Sequence, residues 1–135
     1  MSVPPAVYGT TTLNLTVRSA SGTLIVRAHG EIDLASVSLL TAVFDAGVAA
    51  GCDRAVVDAA EVTFIDAAGL AGMLVFPGAG GFGAVRVENP SPRVERLLQL
   101  TELCHLVDVH DRPVPMLRPL AWRDIEAPRS IAAAN

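Results

Sequence analysis

Lysine is absent from this sequence, and all ten basic residues are arginine. Set against 14 acids they leave a net charge of -4, with no basic footprint, which argues against nucleic acid as the main partner. Together with the abundance of Ala, Gly, Pro and Val, the missing lysine reads as coding bias rather than a device. Aromatic residues are scarce at 4% and charged residues reach only 18%, while apolar residues make up 51%. A chain so rich in apolar residues is not disordered along its length, and its 135 residues suffice for one domain with a core of its own. The first twelve residues lack the charged and apolar regions of a secretory signal. No apolar stretch approaches the ~20 residues that cross a bilayer. A cytoplasmic protein without membrane insertion is expected, and its two cysteines, Cys52 and Cys104, are expected as reduced thiols with no bridge between them.

Alternation of apolar and polar residues predicts a strand from Leu13 to Arg18. Turn chemistry at Ser21-Gly22 and a more apolar strand over 23–30 complete a hairpin. Asp33 is placed to cap a helix over 34–50 whose inward stripe is Val37, Leu40, Phe44 and Val48, with Gly51 as its stop. A short buried strand over 55–58 follows. After Asp66 a helix carries Leu70, Met73 and Leu74 until Pro77 interrupts it. A strand over 84–88, a helix opened by Ser91-Pro92 and running to about Leu103, and a last strand over 106–109 complete the order. The fold class expected is α/β: a mixed sheet of about four to five strands, an N-terminal hairpin and then parallel strands, with crossover helices. Residues 1–12 are expected as a flexible segment, 13–111 as the domain and 112–135 as a proline-rich extension.

Candidate chemistry is thin. Gly78, Gly80 and Gly83 match the spacing of a dinucleotide loop, but they lie between a helix and a strand, so the helix N-terminus that would hold a pyrophosphate is missing. His29, His105 and His110 show no ligand spacing with the cysteines, and no Gly-x-Ser-x-Gly elbow exists. No enzyme, metal or cofactor is expected. The informative stretch is Val62-Thr63-Phe64-Ile65-Asp66-Ala67-Ala68-Gly69-Leu70. Asp66 is a favoured cap, and the bare first turn leaves backbone N–H groups and the positive helix end facing outward, suited to an anion or a closely docking protein.

Several motifs in order resemble the STAS domain, and within it the bacterial anti-sigma factor antagonists. Gly30-Glu31-Ile32-Asp33-Leu34 is similar to the family's Gly-Glu-Leu-Asp-Leu, and Phe64-Ile65-Asp66-Ala67-Ala68-Gly69-Leu70 to its Phe-Ile-Asp-Ser-Ser-Gly-Leu. Val87-Glu88-Asn89-Pro90-Ser91 and Leu98-Gln99-Leu100-Thr101-Glu102-Leu103 resemble two further signatures. The resemblance implies a protein that binds an anti-sigma factor, usually a serine kinase, and frees a sigma factor. It also implies a docking edge of Asp33, Ser36, Asp66, Ala67, Ala68, Gly69 and Leu70. The family's phosphoacceptor serine corresponds to Ala68, with Ala67 before it, so the hydroxyl that carries the charge switch is missing. The alternative reading is a STAS scaffold subunit of a lipid-transport or sensory complex. Oligomeric state stays open, a homodimer included.

Overall fold

The computed structural model describes residues 6–77 and 85–101 and the backbone of 108–110. Nine elements follow one another: β1 (Ala6–Gly9), β2 (Leu13–Ala20), β3 (Thr23–Ile32), α1 (Val37–Ala49), β4 (Arg54–Ile65), α2 (Ala67–Leu74), β5 (Val85–Glu88), α3 (Pro92–Thr101) and β6 (Asp108–His110). The strands form one sheet in chain order, antiparallel through β1, β2 and β3 and parallel from β3 to β6. This is the expected α/β class with its hairpin and parallel half. The sheet has six strands among the described residues, because Ala6–Gly9 pairs with β2. The expectation of a flexible segment over 1–12 is therefore corrected at those positions.

The hairpin turns at Ser21 and Gly22, both at positive φ (51° and 79°), which matches the twist of the strands they join. Alternate residues of β3 and β4, Leu24, Val26, Ala28, Ala55, Val57 and Ala59, share one core cluster with residues of all three helices. The helices thus cover one sheet face, and the ring of Phe44 meets that of Phe76 edge-on at 5.3 Å in the middle of the layer. Asp58 projects from the alternate positions of β4, opposite Arg27, and is buried.

Three boundaries differ from expectation. α1 starts at Val37, not Leu34, because Asp33 and Ser36 bond to each other and fold 33–36 into a separate turn. Its buried stripe is Leu40, Val43, Phe44 and Gly47, with Val37 and Val48 only partly covered. β4 runs to Ile65, well beyond the short strand expected, since β3 continues beside it through two irregularities, at 27–29 and 30–31. The strand expected over 106–109 is observed at Asp108–His110. α3 starts as expected: Ser91 accepts from the Val94 amide through Oγ and from the Glu95 amide through its carbonyl. The glycine-rich stretch 78–83, Cys104, His105 and the extension over 112–135 lie outside the described residues.

Candidate functional site

Parallel β3 and β4 end side by side, with Ile32 paired to Ile65. Their exits carry Asp33 into the α1 turn and Asp66 into α2, so the topology brings the two acids of the sequence motifs to one corner.

Each acid is committed to backbone. The Asp33 amide donates to Ser36 Oγ at 3.0 Å, and the Ser36 amide donates to Asp33 Oδ1 at 2.9 Å. The Ser36 hydroxyl donates to the Glu31 carbonyl at 2.7 Å, tying the turn to the end of β3. Asp66 divides its carboxylate between two elements. Oδ1 accepts from the Gly69 amide at 2.7 Å and caps α2, while Oδ2 accepts from the Leu34 amide at 3.1 Å across the corner. No other contact of the Asp66 side chain is needed to explain its position.

Close approach of α2 is what makes this geometry reachable. A β-carbon at Gly69 would overlap the Ile32 carbonyl oxygen, and one at Gly72 would overlap Val37 Cγ2. Glycine at 69 lets the first turn of α2 rest on the β3 exit, and glycine at 72 lets the helix lie against α1. Leu70, Met73 and Leu74 anchor it from below. α2 ends at Leu74 with Val75 extended, shortly before Pro77, where a helix cannot continue through the preceding residue without steric cost. Its outward positions Ala67 and Ala71, and Val75 just beyond its end, are all exposed and all uncharged.

The expected docking residues do gather here, but they divide into two groups. Ser36, Gly69 and Leu70 are buried and serve as supports. Asp33, Asp66 and Ala68 are half-exposed and Ala67 is exposed, so these form the accessible part. Among the described residues no acceptor meets the Ala67 and Ala68 amides, which are the first two of the helix. Leu34, 74% exposed and bonded through its amide to Asp66, lies in the turn before α1 rather than in the first turn of the helix that the sequence predicts. Ser36 stands at the N-cap position of α1, but its side chain makes no capping bond to the helix. Phe64, 37% exposed, also reaches this end of the sheet, with the Arg93 guanidinium 5.7 Å from its ring centre.

The other titratable groups do not form a second centre. His29 and Arg27 both meet Glu61, at 3.6 and 3.4 Å, on an exposed part of the sheet. Cys52 is free and buried, and burial first, then the neighbouring Asp53, pushes its thiol up. Among the described residues no group of three or more His, Cys, Asp and Glu is arranged to hold a metal ion, and no helix is long and apolar enough to cross a membrane.

A family model described as "Mlab, STAS domain" matches residues 15–108. No curated protein matches the chain. Among solved structures, an anti-sigma factor antagonist from Mycobacterium paratuberculosis is similar at 23% identity and a TM-score of 0.64, over 76% of this chain and 89% of that one. The anti-sigma factor antagonist SpoIIAA in its unphosphorylated form is similar at 18% identity and a TM-score of 0.61, over 77% of this chain and 94% of its own. The phosphorylated form of the Bacillus cell fate determinant SpoIIAA gives 18% identity and a TM-score of 0.54, over 70% and 89%. Likeness at this level of identity is a likeness of fold.

Proposed function

Because the chain belongs to the STAS-domain family, we propose that it is an anti-sigma factor antagonist-like binding protein whose partner is an anti-sigma factor of the serine-kinase type. The docking edge is the corner of Asp33, Asp66, Ala67 and Ala68, held in shape from beneath by Ser36, Gly69 and Leu70. The observation that carries this reading is the pair of hydrogen bonds that the Asp66 carboxylate accepts, one from the Gly69 amide and one from the Leu34 amide. One carboxylate fixes both segments of the edge, so the surface is formed before a partner arrives and little ordering entropy is lost on binding.

The chain acts by binding rather than by catalysis. With Ala67 and Ala68 in the first turn, a kinase partner finds no hydroxyl there to modify, so the complex is insensitive to phosphate at this position and control falls on the partner. Co-purification with each anti-sigma kinase of the source organism tests the proposal. Retention on at least one supports it, and failure to bind any of them contradicts it.

A second reading is a permanent scaffold subunit of a larger complex. It is favoured by the outward side of α2 and of the residue after it, where Ala67, Ala71 and Val75 present no charge to solvent. Such a subunit would stay with its complex through purification and bind no kinase.

A further inference from the structure

We infer that Leu34 is the anchor of this docking edge, inserted into an apolar pocket of the anti-sigma factor that is rimmed by arginine or lysine. The inference rests on the reading of the corner as a docking edge and names the residue and the pocket chemistry by which it binds.

An exposed leucine is ordinary by itself. Leu34 differs in how it is held. It is 74% exposed, the largest value for a large hydrophobic residue among the described residues, while its backbone is fixed on both sides. The preceding amide, that of Asp33, is bonded to Ser36 Oγ, and its own amide is bonded to Asp66 Oδ2. Two residues later Ser36 is only 3% exposed and is tied to Glu31 and Asp33. A side chain raised on a clamped turn enters a pocket without first being ordered, which is how a few apolar residues come to dominate an interface.

The surroundings set the partner's chemistry. Asp33 precedes Leu34 and is bonded within the same turn, Asp66 bonds the Leu34 amide, and Glu31 lies three residues before it at the end of β3, so acids gather around the apolar group's backbone. Among the described residues none of these carboxylates lies within ion-pair distance of an arginine, whereas Glu61 and Asp53 do. An apolar socket bordered by cationic side chains complements this arrangement; an anionic or wholly apolar one does not. Ala35 and Ala67, small and exposed, allow the rim of such a socket to approach closely.

The test compares the parent with Leu34→Ser and Leu34→Met, in titration calorimetry against the anti-sigma kinase that the parent retains, at low and high salt. Leu34 is exposed, so both variants keep the fold, which circular dichroism checks. The serine variant should lose about tenfold or more in affinity and the methionine variant much less. Parent affinity should fall with added salt. A serine variant that binds as the parent does overturns the anchor while leaving the docking edge in place. Salt-independent binding overturns the cationic rim. If Leu34→Ser abolishes self-association in sedimentation and leaves kinase affinity unchanged, the occupant is a second copy and the inference is wrong. Should no kinase bind the parent, the function itself fails, and the inference with it.

Discussion

Gly69 lies directly against the carbonyl oxygen of Ile32, closer than any side chain would permit. This contact joins the first turn of α2 to the exit of β3 and thereby sets the distance between the two acids of the corner. Alanine at 69 must push the helix away from backbone, which cannot rotate aside as a side chain would. Gly69→Ala is expected to cost about 1–3 kcal/mol in urea denaturation. It should also raise the exchange rate of the Leu34 amide, since Asp66 moves with the helix.

Asparagine and alanine at 66 separate the two bonds of that carboxylate. Asparagine still caps α2 through its carbonyl oxygen but turns an NH2 group toward the Leu34 amide, a donor facing a donor. Asp66→Asn should keep most of the stability and lose the Leu34 protection seen by hydrogen exchange. Asp66→Ala should lose both, with a stability cost of about 0.5–2 kcal/mol for the missing cap.

Asp58 makes stability depend on pH in the unusual direction for a carboxylate. Burial lifts its pKa above the ordinary 3.8, against the lowering effects of the Ala60 amide, the Asn89 side chain and Arg27. The folded protein therefore holds this proton more tightly than the unfolded chain does. The stability that this group contributes is present below pH 3.8 and is lost as pH rises through the raised value. Asp58→Asn removes the dependence, and its amide oxygen can still accept from Ala60, where the parent bond is 3.0 Å. Chemical denaturation from pH 4 to pH 7 should show a steeper decline for the parent than for the variant. Equal slopes would contradict this account of Asp58.

Phe44 and Phe76 meet where α1 passes over the end of the α2 segment, and both are almost wholly buried. Phe44→Ala should cost about 3–5 kcal/mol by thermal or urea unfolding, through lost transfer energy and the cavity left behind. Phe44→Leu should cost less, because most of the volume stays filled.

What the sequence made legible was local. The Ser21-Gly22 turn, the Ser91-Pro92 start of α3 and the Asp66 cap each follow from the chemistry of two or three neighbouring residues, and each is observed. The long reach of β4 was not legible, because exposed residues at Ala60, Glu61, Thr63 and Phe64 break the apolar pattern and only the partner strand keeps that segment extended. β1 was missed for a similar reason: four residues at a sheet edge carry little periodicity. The position of Asp33 and Asp66 near strand ends was legible, but burial around them was not. Asp33 reads as a helix cap until Ser36 is seen to take its carboxylate, and only then does Leu34 become a surface residue. Whether a residue supports a site or touches a partner depends on contacts from distant strands, which no local pattern contains.

The claim at the centre is a docking corner that binds an anti-sigma factor and cannot be switched off by phosphate at position 68. Its most direct measurement is the affinity of the parent and of Ala68→Ser for the retained anti-sigma kinase, each before and after incubation with ATP. The parent should bind equally tightly in both states, and the serine variant should take up phosphate at residue 68 and lose affinity. A parent that binds no anti-sigma kinase, or one that ATP weakens through a phosphate on another residue, would contradict the account.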